Sequence, residues 1–160
     1  MKKGQAAMEF LMTYGWAILV VIAAIAALAY FGVLDPARLL PERCQSSAGM
    51  DCVDKASITA TQVTIALRNN IGFDANVTDV AVTGATCSGA DEAAAGASGS
   101  FVDLSTAEVT VDNNDVFKIR LNTCGLTVGD KFDGTVTVSY ENTETGLTHD
   151  VPVEIRGKVA

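Results

Sequence analysis

The sequence predicts an α+β protein in which a long hydrophobic N-terminal helix precedes an antiparallel β-sandwich. Two observations support this fold class. The 160-residue chain carries no charged side chain between residues 10 and 34. Beyond residue 57, apolar side chains recur at every second position in short runs that Gly, Asn and Asp interrupt, the pattern of half-buried strands. We therefore divide the chain into a short basic segment (1–4), an apolar helix (5–34), a helix extension with a linker (35–56) and a β domain (57–160).

The apolar segment is long enough to cross a membrane. Its 25 uncharged residues reach about 37 Å as a helix, against about 30 Å for a hydrocarbon core. Lys2 and Lys3 precede it, and the next basic residue is Arg38. Because positive charge stays on the cytoplasmic side, we expect the N-terminus to be cytoplasmic and the remainder to be exported.

Small residues interrupt the bulky side chains of this helix. Ala23 and Ala27 are four residues apart, and Ala24 lies beside them, so helix backbones can approach closely, which is a main route to association in membranes. Trp16 fits either a packing position or the aromatic belt at the membrane interface.

The start of the chain carries a resemblance to a known family. Lys3-Gly4-Gln5, followed by Glu9 four residues after Gln5 and then by the apolar helix, resembles an archaeal type IV pilin with a class III signal peptide. The resemblance covers about the first 34 residues. It departs from the usual pattern at Ala7, where serine is common, and at Thr13, where leucine is common.

The resemblance implies a function and partners. A prepilin peptidase cuts after Gly4, Glu9 neutralises the new α-amino group of Gln5, and the helix joins a homopolymeric cell-surface filament, with a role in adhesion. The further partners that it implies are an assembly ATPase, its membrane platform, and the membrane before assembly. Two alternatives stay open: Glu9 is simply an interfacial acid near the helix dipole, and the protein is a minor pilin or a non-polymerising, membrane-anchored binding module.

Charge and cysteines limit what the exported part does. The net charge is −8, and without clustered Lys or Arg beyond the N-terminus we predict no nucleic-acid partner. The four cysteines show no C-x-x-C spacing, and an even number in an exported domain favours disulfides. Of three possible connectivities, we favour Cys44–Cys52 as a loop clip and Cys87–Cys124 as a bridge between distant strands.

The β domain is predicted strand by strand. Clear alternation covers residues 63–67, 77–83, 116–121, 135–141 and 149–155, with shorter strands at 101–104 and 108–111. We expect a β-bulge near Gln62, a hairpin turn at 112–115, and loops at 42–54 and 89–100, the latter with at most one helical turn. Pro152 indicates an edge strand or a bulge. Strands at this spacing indicate an immunoglobulin-like sandwich, and archaeal type IV pilins similarly carry a β-sandwich head.

No constellation for catalysis is apparent. The single histidine, His149, lies on the inward phase of a predicted strand, where we expect it to be half-buried. No nucleotide, hydrolase or metal motif is present, so we predict no catalytic, metal or cofactor residues and no enzymatic activity. Asn76-Val77-Thr78 matches the acceptor pattern for N-glycosylation.

Overall fold

The computed structural model describes residues 2–31, 41–47, 49–84, 87, 89 and 91–160, without the side chains of residues 2–7 and 11. The chain divides into two compact units, Met1–Leu40 and Pro41–Ala160. Among these described residues, the first unit has one helix and the second, called the β domain below, has eleven strands. The structure therefore confirms an N-terminal apolar helix followed by antiparallel sheets.

The helix α1 spans Lys2–Tyr30. The sequence predicts a helix over 5–34, so α1 begins three residues earlier and includes most of the predicted basic segment. Residues 32–40, which include the end of the predicted helix and the start of its predicted extension, lie outside the described residues.

The strands in chain order are β1 (Arg43–Ser46), β2 (Met50–Cys52), β3 (Ser57–Ile58), β4 (Gln62–Asn69), β5 (Ala75–Thr83), β6 (Asp91–Ala95), β7 (Val102–Asp103), β8 (Val109–Val111), β9 (Val116–Asn122), β10 (Lys131–Asn142) and β11 (Thr148–Lys158). They form two antiparallel sheets. Sheet A has the order β1-β11-β10-β5-β8; sheet B has the order β2-β4-β9-β6-β7, and β3 also pairs with β4.

Both sheets contribute to one apolar core. Every second side chain of β4 and β9 is buried, as is every second side chain in most of β10 and β11. Phe117 and Ile119 of sheet B and Val136 and Val153 of sheet A are fully buried in the same cluster. The arrangement is sandwich-like, and burial of these apolar side chains is its main stabilising term.

Two predicted loops are strands in the structure. Residues 42–54 contain β1 and β2, which pair with β11 and β4, so the β domain begins at Pro41 and not near residue 57. Residues 89–100 contain β6, where Ala93 and Ala94 are fully buried. β6 pairs with both β9 and β7, and Ala93 belongs to the core cluster.

The connections differ from prediction at two turns. The predicted bulge near Gln62 is a chain reversal, since β3 and β4 pair antiparallel and the backbone N–H of Thr59 donates to the carbonyl of Gln62 at 2.8 Å. Residues 112–115 are not a hairpin turn, because β8 belongs to sheet A and β9 to sheet B. They cross between the sheets.

Two predictions for β11 are also wrong in part. Pro152 is exposed, as its phase predicts, but β11 is not an edge strand, because β1 covers its residues 153–156. His149 lies in the strand and is exposed rather than half-buried. It pairs with Tyr140 near the connection between β10 and β11, and their ring centroids are 5.5 Å apart.

Candidate functional site

The apolar surface of α1 is the largest feature that the fold of the β domain does not explain. Its segment Met12–Tyr30 has a mean hydropathy of 2.2 and is 0% buried. The large apolar side chains along the helix are between 46% and 87% exposed. By length and composition this helix can cross a membrane. A helix that is apolar on all sides requires lipid or other helices around it.

The predicted packing residues share one face with Glu9. At 100° per residue, the positions of Glu9, Trp16, Ala23, Ala24 and Ala27 fall within an arc of about 100°. Thr13 and Val20 lie in the same arc; these seven residues are called the Glu9 face. The opposite side carries Ile18 and Ile25, and Phe10 and Leu28 flank the Glu9 face. Three of the seven residues of the Glu9 face are alanines, and Glu9 is the only acidic side chain in the sequence of the helix.

Glu9 and Thr13 are linked along the helix. The hydroxyl of Thr13 donates to the backbone carbonyl of Glu9 at 2.8 Å, a bond that keeps the hydroxyl satisfied in apolar surroundings. The carboxylate of Glu9 is exposed.

The predicted processing residues lie in the first turns of α1. Lys3, Gly4 and Gln5 are helical in backbone conformation, and their side chains lie outside those described. Gln5 and Glu9 are separated by four residues, so they lie on the same side of the helix, one turn apart.

Both predicted disulfides are present. Cys44 on β1 bonds to Cys52 on β2, and their Cα atoms are 5.9 Å apart. Because β1 is at the edge of sheet A and β2 at the edge of sheet B, this bridge joins the two sheets at the start of the β domain. Cys87 bonds to Cys124 with Cα atoms 3.9 Å apart, and ties the connection between β5 and β6 to the segment after β9.

Asn76 is the second residue of β5 and not part of a turn. Its neighbours across the sheet are Glu141 of β10 and Thr110 of β8. The Thr110 hydroxyl donates to Oδ1 of Asn76 at 2.7 Å. Val77 points into the core, so Asn76 and its half-exposed amide lie on the outer face of sheet A.

A groove with three carboxylates lies where the free edge of β5 meets β6 and β7. Asp79, Asp91 and Asp103 line it, together with Thr78 and Ser105. Burial, and then the charges of Asp79 and Asp103, raise the pKa of Asp91. The pKa of Asp103 is lowered because its carboxylate accepts hydrogen bonds from the hydroxyl and backbone N–H of Ser105.

The sequence did not indicate this groove, because its acids are twelve residues apart and only the sheet topology brings them together. Among the described residues, no three His, Cys, Asp or Glu side chains are placed to hold a metal ion. The groove therefore carries like charge without the geometry of a cation site.

No protein-family model matches this chain, and no curated protein matches it.

Proposed function

We propose that the protein is the structural subunit of an archaeal type IV pilus-like cell-surface filament, which polymerises through α1 and serves in adhesion. The observation that carries this proposal is the apolar surface of α1, of which the segment Met12–Tyr30 is 0% buried. Such a surface is stable in lipid before assembly and among copies of the same helix afterwards.

The Glu9 face supports contact with other helices rather than lipid alone. The alanines at 23, 24 and 27 leave room for a second backbone to approach the C-terminal half of this face. Glu9 on that face enters any contact that the face makes, and a carboxylate in an apolar contact requires a positive partner. Cleavage after Gly4 creates one, the α-amino group of Gln5, one helical turn away or on a neighbouring subunit.

The remaining parts of the proposal follow from this role. The N-terminus is cytoplasmic before assembly, a prepilin peptidase removes residues 1–4, and an assembly ATPase with its membrane platform extracts the helix into the filament. The β domain forms the outer surface, with a sandwich of immunoglobulin-like type and the surface contacts of adhesion.

N-terminal sequencing of protein sheared from the cell surface, with electron microscopy of the same preparation, tests the proposal. We expect a mature chain that begins at Gln5 and forms filaments. The Glu9→Gln variant is expected to be exported at the normal level and to form no filaments, because an amide cannot neutralise the amine. Recovery of only intact chains beginning at Met1, dispersed in the membrane, would contradict the proposal.

A second candidate is a single-pass, membrane-anchored binding module. The observation in its favour is length: Met12–Tyr30 has 19 residues, which span about 28 Å as a helix and match one hydrocarbon core. The same preparation separates the two, since an anchor keeps its N-terminus and stays with the membrane fraction.

A further inference from the structure

The chain contains a single N-x-[ST] sequence, Asn76-Val77-Thr78, and the fold places it on a solvent-facing surface. Val77 is 0% exposed and belongs to the core. Successive residues of a strand point to opposite faces, so Asn76 points outward, beside the edge strand β8. Many chance matches to this pattern lie in the core, and this one does not.

The hydrogen bonds of Asn76 leave its amide nitrogen available. Oδ1 accepts the Thr110 hydroxyl at 2.7 Å, and among the described residues no hydrogen bond uses Nδ2 of Asn76. Sugar is attached through Nδ2, while Oδ1 is retained in the product. The contact with Thr110 is therefore compatible with a glycan and orients it away from β8.

The hydroxyl of Thr78, the third residue of the acceptor sequence, is hydrogen-bonded in the folded state. The Thr78 hydroxyl donates to the backbone carbonyl of Ser139 at 3.2 Å and is partly buried. The register of β5 with β10 shifts at this point, and the strand holds Thr78 against β10. An enzyme that must read the Thr78 hydroxyl together with the Asn76 amide cannot do so once β5 is paired.

The residues that bond to Asn76 and Thr78 in the folded state are synthesised much later than residues 76–78. Thr110 lies 34 residues after Asn76, and Ser139 lies 61 residues after Thr78. During export, residues 76–78 therefore emerge before sheet A can close around them. This interval leaves an extended, unpaired segment accessible to a transferase.

We propose that Asn76 carries an N-linked glycan that is attached before the β domain folds. This rests on the exported β domain of the proposed function. The donor is a lipid-linked oligosaccharide phosphate: the bond between the anomeric carbon and the phosphate oxygen breaks, the bond from Nδ2 of Asn76 to that carbon forms, and the amide loses one proton. The lipid phosphate is the leaving group, and no oxidant or reductant takes part.

The position gives the glycan a structural consequence. The three-residue strand β8 covers only residues 75–77 of β5, so the backbone of residues 79–83 lacks a strand partner on that side among the described residues. Exposed strand edges invite pairing with other chains. A glycan at Asn76 stands next to this edge and shields it.

The test is the intact mass of the native full-length protein isolated from its own cells, with tandem mass spectrometry of the peptide that contains Asn76. We expect a mass excess over the processed sequence that is lost in Asn76→Gln and in Thr78→Ala. The matched control Thr78→Ser keeps the hydroxyl and should keep the excess. An unmodified Asn76 in the native protein overturns the proposal.

The order of events is tested with Val138→Asp, which puts a carboxylate at a fully buried position of β10 and prevents closure of sheet A. Pulse-labelled chains of this variant should carry the glycan to at least the wild-type extent. Modification of wild type without modification of this variant overturns attachment before folding.

Labelling of intact cells with a membrane-impermeant amine reagent is the accompanying control for export of the β domain. An exported but unmodified domain overturns the glycan alone, whereas an unlabelled, unmodified domain also overturns the export that the proposed function requires.

Discussion

The side chain of Asn69 is fully buried at the end of β4, where it hydrogen-bonds the backbone of two other segments. Its Nδ2 donates to the carbonyls of Phe73, Val111 and Asp112 at 3.0–3.3 Å, and its Oδ1 accepts from the N–H of Ile71 at 3.1 Å. One amide thus fixes the turn before β5 and the crossover between the two sheets. Sequence alone shows an Asn-Asn pair in a turn and does not show this role.

Asn69→Ala is expected to destabilise the β domain by about 3 kcal/mol, because it leaves several buried backbone groups without a partner. The measurement is urea unfolding of the full chain in detergent, followed by the β signal in circular dichroism. Asn113→Ala, at an exposed position of the crossover, is the matched control and should change stability by less than about 0.5 kcal/mol. Equal losses in the two variants would contradict this role for Asn69.

Asp91 gives the β domain a pH dependence with a defined sign. Its pKa is raised, first by burial and then by Asp79 and Asp103, so the folded state holds the proton more tightly than the unfolded chain does. Ionised Asp91 therefore costs stability at neutral pH, and this cost disappears as the pH falls through the raised pKa. Asp103 acts in the opposite sense: its lowered pKa contributes stability that is lost only as the pH falls below the ordinary aspartate range.

Asp91→Asn should raise the melting temperature at about pH 7, and this effect should shrink as the pH falls through the raised pKa of wild-type Asp91. Thermal melts at several pH values measure this convergence. Asp103→Asn is the control with opposite sign, since it should lower the melting temperature at neutral pH. A gain from Asp91→Asn that stays constant over the whole pH range would exclude ionisation as its cause.

At the scale of the element, α1 has two unlike sides, and a pair of substitutions separates them. Ala27 lies on the Glu9 face, whereas Ala29 lies on the opposite, bulky side. Ala27→Leu adds three carbons where the proposed filament brings helices together; overpacking typically costs about 1–3 kcal/mol, enough to lower the filament yield roughly fivefold or more. Ala29→Leu makes the same chemical change and should leave the yield near that of wild type.

The yield is measured as sheared filament per cell, with the amount of membrane-inserted chain as the reference. Both variants should insert equally, because leucine is at least as favourable as alanine in lipid. Equal loss of filaments in both would place the helix contacts elsewhere on α1.

The sequence predicts some strands of the β domain and not others. β9, β10 and β11 alternate large apolar and polar residues, so their existence and inward faces follow from the pattern alone. β6 reads Asp-Glu-Ala-Ala-Ala, a composition with low strand propensity. It is a strand because β9 and β7 flank it and because Glu92 pairs with Arg120 across the sheet, with Nε to Oε2 at 2.6 Å. Long-range pairing overrides local preference there.

The candidate sites also differ in whether the sequence predicts them. The residues of the Glu9 face follow from helical periodicity, and the even cysteine number with its spacing suffices to favour the correct disulfide pairs. The carboxylate groove at Asp79, Asp91 and Asp103 depends on the order of strands in both sheets, and no local pattern encodes that order. Features built along one element, and pairings among a small number of cysteines, are thus predictable from sequence, whereas a site that depends on strand order is not.

At the scale of the whole molecule, two disulfides constrain the β domain to different extents. The Cys44–Cys52 bridge spans eight residues and the Cys87–Cys124 bridge spans 37. The loop-entropy relation gives contributions of about 2.5 and about 4 kcal/mol, respectively. Both double Cys→Ser variants should have a lower free energy of unfolding, and the variant without Cys87–Cys124 should lose more than the variant without Cys44–Cys52. The measurement is urea denaturation without reductant. The reverse order would indicate that the link between sheets A and B at Cys44 matters more than loop length.

The β domain is acidic. Between residues 41 and 160 the chain carries 17 acidic and eight basic side chains, a net charge of −9, and a filament would bring many such domains close together. The Debye length is about 30 Å at 0.01 M salt and about 10 Å at 0.1 M, so lowering the salt extends repulsion between neighbouring subunits. In the proposed filament, the contacts of α1 must offset this repulsion.

Sheared filaments should therefore dissociate more in about 0.01 M than in about 0.15 M sodium chloride, as measured by sedimentation of the polymer. The matched variant carries Glu108→Gln and Glu144→Gln, two exposed positions, and should lose part of this salt dependence because its domains repel less. A neutral osmolyte at the same osmolality should not substitute for salt. Filament stability that is independent of salt in both proteins would mean that the acidic surfaces lie too far apart to interact, and would place the β domains at wider spacing around the α1 core.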